Sequence, residues 1–193
     1  YGKDGLKYIV LGNEPHGAEK VKGNVEAYRV LYEEIKKTDP SILVVGTSVG
    51  PEEMYFQAGF QKYQDVYNFH AYNDYPVVTS AFRKYEELFA KYGGRKPIWS
   101  TELGLNSQGM TRYRVAVDLV KKVSLFFAHG GENMSWFTIN YPDPRGKARG
   151  TFGDAHSVFD CKYNLYNPRL DAIAYYTMVN GICIKKFVAE RSY

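Results

Sequence analysis

Five short runs of apolar residues recur along the chain, and each is close to continuously hydrophobic. The runs cover residues 6–12, 42–47, 66–71, 97–101 and 133–138, and they are rich in Val, Ile, Tyr and Phe. Strands covered on both faces of a parallel sheet have this pattern, whereas strands with one solvated face alternate between apolar and polar residues. The chain is therefore predicted to contain five parallel strands.

Amphipathic helices are predicted between these runs, because apolar side chains recur there at spacings of three and four residues. The predicted inward faces are Val25, Tyr28, Leu31, Tyr32 and Ile35, then Phe82, Tyr85, Leu88 and Tyr92, then Tyr113, Ala116, Val117, Val120, Val123 and Phe127. Asn167 followed by Pro168 predicts the start of a last helix, since Asn caps helices and Pro suits the first helical position. The segment 140–167 is rich in Gly, Asp and aromatic residues, and its length favours a functional loop.

Alternation of strand and helix is typical of an α/β protein built from βα units around a parallel sheet. A complete (β/α)₈ TIM barrel needs about 250 residues and eight units, whereas this chain has 193 residues and five predicted strands. Either the sheet is open or three N-terminal units are missing. The second reading is favoured by two glutamates described below. In this second reading, residues 1–180 contain strands four to eight of a barrel. Residues 181–193 then form a strand that leaves the barrel and could begin a β-rich accessory domain.

Composition and charge exclude several classes of protein. Apolar residues make up 45%, charged residues 24%, and the net charge is +4, which is typical of a globular chain. Basic residues are interspersed with acidic ones, so nucleic-acid binding has little electrostatic support. No apolar run approaches the roughly 20 residues that span a membrane. Cys161 and Cys183 fit neither a metal-ligand spacing nor a disulfide-rich scaffold, and whether they form a disulfide stays open.

Two of the predicted strands end at a glutamate. Glu14 follows the first strand in "GNEP" at 12–15, and Glu102 follows the fourth in "STELG" at 100–104. In an α/β barrel the carboxyl ends of the strands and their loops build the active site. Glycoside hydrolysis needs two carboxyl groups, about 5–5.5 Å apart when the anomeric configuration is retained. The sequence therefore predicts that these two carboxyls face each other.

Four motifs, in this order, resemble those of the retaining glycoside hydrolases of clan A. They are "GNEP" at 12–15, "NFHAYN" at 68–73, "STELG" at 100–104 and "SWFTIN" at 135–140. The resemblance implies a TIM-barrel O-glycosyl hydrolase that cleaves β-type glycosidic bonds of a plant or microbial polysaccharide or oligosaccharide by double displacement. It makes Glu14 the acid/base and Glu102 the nucleophile.

The same resemblance implies roles for four other residues. Asn13 would bind the sugar 2-hydroxyl, and Tyr72 would hold Glu102 ionised by donating a hydrogen bond to it. His70 would position the site, and Trp136 would stack on a sugar ring. The substrate would be a carbohydrate, with no cofactor and no metal ion.

The chain departs from the family in lacking strands one to three, which normally supply an Arg or His and several sugar contacts. The N-terminal half of the barrel is therefore expected on the same chain or on a partner. Without it, helices flanking the gap would expose aromatic side chains such as Tyr28 or Phe127. The class of function favours a secreted or periplasmic location.

A serine hydrolase is the main alternative. "GTSVG" at 46–50 follows a predicted strand and has the G-x-S-x-G pattern of a nucleophile elbow. Ser48 would be the nucleophile, with Glu102 and either His129 or His156. However, "HGG" at 129–131 lies downstream of Ser48, on the wrong side for an oxyanion-hole loop, and "GNEP" stays unexplained. A non-catalytic carbohydrate-binding protein on the same fold is the third hypothesis.

Overall fold

The computed structural model describes residues 5–15, 17, 20–139, 155–160 and 167–182. All five predicted strands are present and alternate with helices. The elements in chain order are β1 Tyr8–Val10, α1 Val21–Thr38, β2 Leu43–Val45, α2 Glu53–Gln57, a 3₁₀ turn Phe60–Lys62, β3 Tyr67–Ala71, α3 Pro76–Tyr92, β4 Ile98–Gly104, α4 Arg112–Ala128, β5 Asn133–Phe137, β6 Phe159–Asp160, β7 Asn167–Pro168 and α5 Leu170–Ile182.

The described strands form partial sheets. β1 pairs with β2 in parallel, with Ile9 opposite Val44, and a parallel bridge joins Val45 to Val66 just before β3. A second sheet has the order β3-β4-β5, and β6 pairs with β7 antiparallel. These pairings fit the α/β class. The assignment of the strands to positions four to eight of a barrel stays a prediction.

The chain divides into two compact units, and each has its own packing. The first comprises Tyr1–His70 and Ala81–Thr101. Its core lies between α1 and the first two strands and consists of Leu11, Val21, Val25, Tyr28, Val44, Tyr55 and Phe60. Tyr28 packs against Phe60 with ring centroids 5.2 Å apart. The expectation that Tyr28 would be exposed is therefore wrong, because it faces the core of its own unit, whereas Leu31 is exposed.

The second unit comprises Ala71–Ser80 and Glu102–Tyr193, and within it α4 packs against α5. The buried residues of α4 are Val115, Ala116, Asp118, Leu119, Lys122, Val123 and Phe126. The predicted inward face of α4 is wrong for Tyr113, which is exposed. Phe127 is exposed as well, as was expected for an aromatic side chain of a helix flanking the gap. Apolar residues occur all around this helix, so the spacing alone favoured a face rotated away from the buried one.

The predicted start of the last helix is also wrong. Asn167 and Pro168 form β7, and their partners are Asp160 and Phe159. The helix begins at Leu170, and the carbonyl of Arg169 accepts hydrogen bonds from the N–H groups of Ala172 and Ile173. Strand pairing of Asn167 thus excludes the capping role.

Several expectations concern residues outside the described part. Cys161, Cys183, most of the segment 140–167 and residues 183–193 lie outside the described part. The strand predicted to leave the barrel at residues 181–193 is wrong for Gly181 and Ile182, which end helix α5. Among the described helices, none combines the length and apolar character needed to cross a bilayer.

Candidate active site

The turn after β1 gives Glu14 an unusual backbone conformation. Gly12 has φ of +70°, and a Cβ added there would lie 3.1 Å from the hydroxyl of Tyr28. Glu14 itself has φ of 41°, the only positive value among the described non-glycine residues. Its backbone N–H donates to Oγ of Ser48 at 2.9 Å. Non-glycine residues in this region are strained, and such strain is concentrated at functional sites.

The carboxylate of Glu14 contacts the imidazole of His70 within the first unit. Oε1 of Glu14 lies 2.8 Å from Nδ1 of His70, and the His70 side chain is 4% exposed against 33% for Glu14. The other ring nitrogen, Nε2, lies 2.9 Å from Oγ1 of Thr101. His70 is therefore held on both sides, whereas about one-third of the Glu14 side chain is exposed.

Asn68 and Thr101 complete this cluster. Nδ2 of Asn68 donates to Oγ1 of Thr101 at 2.9 Å, and Oδ1 of Asn68 accepts from the backbone N–H of Thr101 at 2.9 Å and lies 3.2 Å from its hydroxyl. Asn68 and His70 are two residues apart on β3 and therefore share a face of the strand. The amide of Asn68 fixes the hydroxyl that contacts the imidazole.

The cluster can carry a proton in two arrangements. With Glu14 ionised, Nδ1–H of His70 donates to the carboxylate and Nε2 accepts from the Thr101 hydroxyl. With Glu14 protonated, the acid donates to Nδ1, and Nε2–H donates to Thr101, whose hydroxyl can turn to Oδ1 of Asn68. A neutral imidazole offers one donor and one acceptor, and a hydroxyl offers both. Either charge state of Glu14 is thus accommodated without moving a heavy atom.

Glu102 has its own partner in the second unit. The hydroxyl of Tyr72 donates a hydrogen bond to Oε2 of Glu102. The Tyr72 ring is held edge-on by Phe137 and His156, with ring centroids at 5.5 and 5.2 Å. A hydrogen bond to a carboxylate favours its ionised form. Glu102 is therefore equipped to act as an anion.

A glycine close to Glu102 allows this close packing. A Cβ at Gly104 would lie 2.4 Å from the carbonyl oxygen of Phe137 and 3.0 Å from the Tyr72 ring. Both distances are within or at the limit of steric overlap. The glycine of "STELG" is therefore explained by the approach of β5 and Tyr72 to the end of β4.

The two remaining predicted site residues have different surroundings. Asn13 is exposed beside Glu14. Trp136 is only 8% exposed and packs against Tyr175 of α5 with ring centroids 6.2 Å apart. Its role as a stacking platform for a sugar stays a prediction, and little of its ring is open to a ligand.

Ser48 is in a setting that does not suit a nucleophile. It is 7% exposed, and its hydroxyl accepts the Glu14 N–H. The serine of a nucleophile elbow lies exposed on a strained turn, whereas the positive φ here belongs to Glu14. His129, one of its predicted partners, has Nε2 2.9 Å from Oγ1 of Thr79.

Sequence reasoning missed Asn68, Thr101 and Lys122. Asn68 and Thr101 stand within the quoted motifs, two residues before His70 and one before Glu102. The two-residue period of a strand could have placed Asn68 beside His70. Lys122 was counted only among the basic residues interspersed with acidic ones, but its side chain is fully buried.

Comparison with known proteins identifies similar folds but no close relative. No protein-family model matches the chain, and no curated protein sequence matches it. A family 39 glycoside hydrolase from Bacteroides cellulosilyticus has a similar structure, with a TM-score of 0.63 and 18% identity over 88% of this chain and 39% of that one. A family 128 endo-β-1,3-glucanase from Sorangium cellulosum has a TM-score of 0.64 and 15% identity, covering 91% of this chain and 71% of the glucanase.

An endo-β-1,4-mannanase from Thermotoga petrophila is also similar, with a TM-score of 0.60 and 16% identity over 93% of this chain and 45% of the mannanase. The chain thus spans less than half the length of the mannanase and of the family 39 enzyme. At these identities the similarity concerns the fold alone. It establishes that the chain shares the α/β fold of these three proteins.

Proposed function

We propose that the protein is a retaining glycoside hydrolase in which Glu14 is the acid/base and Glu102 the nucleophile. The observation that carries the proposal is the pairing of each strand-end glutamate with a different hydrogen-bond partner. Glu14 contacts an imidazole through which a proton can be accommodated, and Glu102 accepts a phenol hydrogen bond that favours the anion. This chemistry requires one carboxyl group that is protonated and acts as the acid, and a second that is ionised and acts as the nucleophile.

Each residue has a defined step in this reaction. The Glu102 carboxylate attacks the anomeric carbon while Glu14 gives its proton to the departing oxygen, which leaves a glycosyl-enzyme ester. In the second half Glu14 accepts a proton from water, and the water oxygen replaces Glu102 at the anomeric carbon. His70 stabilises both protonation states of Glu14 in turn, and Asn13 binds the sugar 2-hydroxyl.

The proposed roles of the residues and the similar folds support a proposal for the substrate class. Two of the similar proteins are described as a β-1,3-glucanase and a β-1,4-mannanase. We propose a β-linked polysaccharide or oligosaccharide as substrate, of plant or microbial origin. A secreted or periplasmic location would bring the enzyme to such a polymer.

The proposal includes the rest of a barrel. Residues 1–180 would form the C-terminal five βα units, with residues 181–193 leaving it, and three further units would be supplied by the same or another chain. The greater length of the family 39 hydrolase and the mannanase supports this arrangement.

The serine-hydrolase alternative has weaker support. Its nucleophile would have to release the Glu14 N–H and become accessible before it could react. The carbohydrate-binding alternative leaves the Tyr72–Glu102 and His70–Glu14 pairs without a task, because binding a neutral sugar needs no proton transfer.

Loss of the nucleophile tests the function. Glu102→Ala should lose nearly all turnover of an aryl β-glycoside, and azide should restore product formation with inverted anomeric configuration, because a small anion can attack from the vacated side. Glu87→Ala, which removes an exposed glutamate, is the matched control and should leave turnover unchanged. Labelling of Ser48 by a fluorophosphonate, with no turnover of any glycoside, would support the serine hydrolase instead.

The distance between the carboxyls provides a second test. A crystal structure with a covalent glycosyl inhibitor should show the ester on Glu102 and a Glu14 carboxyl about 5–5.5 Å from it. A separation beyond about 10 Å would contradict the pairing.

A further inference from the structure

Lys122 is a charged residue at a core position of α4. Its side chain has no exposed surface, and it lies between Leu119 and Val123 on the buried face of the helix. A buried ammonium loses several kcal/mol of hydration unless its donors are satisfied. An apolar residue would normally be the less costly choice at such a position.

Three backbone carbonyl oxygens satisfy the ammonium group. Nζ of Lys122 donates to the carbonyls of Ala71 at 2.8 Å, Asn73 at 2.7 Å and Gly104 at 2.5 Å. An ammonium has three N–H donors and no acceptor, so each donor has one partner. All four residues belong to the second unit.

The positions of these carbonyls connect Lys122 to Tyr72 and Glu102. Ala71 and Asn73 flank Tyr72 on both sides in the sequence, and Gly104 follows Glu102 by two residues. The carbonyl between them, that of Tyr72, accepts the N–H of Asn106 at 3.1 Å. Lys122 thus ties the backbone that carries the phenol to the strand that carries the carboxylate.

We propose that Lys122 is a positioning residue that holds the Tyr72 hydroxyl against Glu102 by binding the carbonyls of Ala71, Asn73 and Gly104. Its catalytic consequence rests on the proposed function, since it acts through the ionisation of Glu102. Removing the three bonds would free the backbone on both sides of Tyr72, and the phenol would no longer stay within hydrogen-bond distance of Glu102. The carboxylate would then lose the donor that favours its charged form.

The test measures the Glu102 carboxyl directly. The δ-carbon of Glu102 would be followed by NMR during an acid titration of the ¹³C-glutamate-labelled full chain, with assignment from Glu102→Gln. Tyr72→Phe should raise the pKa of Glu102, and Lys122→Met should raise it in the same direction. The double variant should show no more than the shift of Tyr72→Phe alone, because both changes remove the same contact. Lys121→Met, which removes the exposed neighbouring charge, should leave the pKa unchanged.

Activity provides a second readout. Lys122→Met should lower kcat on an aryl β-glycoside by about 10²-fold with a small change in KM, the order expected for a displaced catalytic group. A Glu102 pKa that moves in Tyr72→Phe but not in Lys122→Met would overturn the positioning role. If the titration behaves as expected and the wild-type chain, supplied with the further βα units proposed above, hydrolyses no glycoside, the proposed function fails while the positioning role stands.

Folding of the variants is checked by circular dichroism before titration. Lys122→Gln keeps two N–H donors and replaces Lys122→Met if the latter does not fold, with a smaller shift expected. If neither variant folds, Lys122 serves the fold as a whole, and the specific positioning role is refuted.

Discussion

Nδ1 of His70 lies 2.8 Å from Oε1 of Glu14, and the opposite ring nitrogen lies 2.9 Å from Oγ1 of Thr101. One imidazole therefore joins the carboxyl proposed as acid/base to a hydroxyl that is fixed by Asn68. Since His70 is almost fully buried, its ring cannot turn away to solvent when Glu14 changes charge. Both ring nitrogens therefore keep their contacts with Glu14 and Thr101.

Replacing His70 should weaken the acid function selectively. In His70→Gln the Glu14 carboxyl loses its buried partner, so protonation of the departing oxygen becomes inefficient. We expect kcat/KM on aryl glycosides with poor leaving groups to fall by about 10²-fold, within the range for general acid catalysis. Substrates with good leaving groups need no proton and should be much less affected. A series of aryl glycosides of graded leaving-group pKa measures this difference.

Two further substitutions act as controls for His70. Thr101→Val removes the hydroxyl that contacts Nε2 of His70. It should lower kcat/KM on substrates with poor leaving groups, but less than His70→Gln does. Thr101→Ser keeps the hydroxyl and should keep the activity. His129→Gln should leave hydrolysis unchanged. Equal losses for all leaving groups in His70→Gln would contradict the assignment, and inactivation by His129→Gln would favour the serine-hydrolase alternative.

The sequence predicted the strands better than it predicted the faces of the helices. Each strand was recognised because its apolar run is continuous and bounded by polar residues. The face of α4 was misjudged because apolar residues surround the helix, and spacing alone does not distinguish buried Val115, Leu119 and Phe126 from exposed Tyr113 and Phe127.

The limits of sequence reasoning at the site have a similar cause. Glu14 and Glu102 could be recognised from their strand-end positions, and His70 and Tyr72 from the motif they share. Burial of Lys122 could not be predicted, because nothing in the neighbouring sequence shows that three carbonyl oxygens will converge on one helix position.

Acid should weaken the first unit through Asp65. Burial would raise the pKa of Asp65, but hydrogen bonds from Lys36 and from the N–H of Val44 outweigh it and hold the pKa below its ordinary value. A lowered carboxyl pKa means that the folded state binds fewer protons than the unfolded state. The stabilisation is therefore complete above about pH 4, the ordinary Asp value, and is lost as the pH falls below it.

Substitution of Asp65 measures this contribution. Asp65→Ala should lower the free energy of unfolding at pH 7 by about 2 kcal/mol, because the N–H of Val44 and the ammonium of Lys36 lose a charged partner. Urea unfolding from pH 2 to 7 should show wild type and variant converging in acid. Glu34→Ala, which removes an exposed carboxylate of the same unit, is the control. A constant difference between wild type and Asp65→Ala at all pH values would contradict the linkage.

Lys122 should have the opposite pH dependence. Burial lowers the pKa of Lys122 to about 7, opposed by the charge of Asp74, whereas an unfolded lysine titrates near 10.4. Between these values the unfolded chain binds the extra proton, so the free energy of unfolding rises with pH by at most about 1.4 kcal/mol per unit from this residue. Relative to Lys122→Met, the wild type should gain stability from about pH 7 to about pH 10. The stability difference between Lys121→Met and wild type should not change with pH. If the difference between Lys122→Met and wild type is also independent of pH, the pH dependence does not come from Lys122.

The last prediction concerns two exposed apolar surfaces, one in each unit. In the first, β1 pairs only with β2 among the described strands, and its exposed large apolar residues are Tyr8 and Val10, next to exposed Leu6. In the second, the exposed large apolar residues of α5 are Leu170, Ile173, Tyr176, Val179 and Ile182, which are spread around the helix. Unpaired apolar strand edges and contiguous apolar patches are sites of association.

We therefore expect the 193-residue chain to self-associate when it is expressed alone. A segment of roughly 100 residues carrying three βα units, supplied in cis or in trans, should cover both surfaces and give an active monomer or complex. Sedimentation measures the association state of the chain with and without the added segment, and hydrolysis of a β-glycoside measures its activity in each case. Ile173→Ser with Tyr176→Ser should reduce association of the chain alone but also weaken assembly with the added segment, because the same exposed side chains serve both contacts. Lys121→Ser should change neither. A cooperative, active monomer formed by these residues alone would show that the count of missing βα units is wrong.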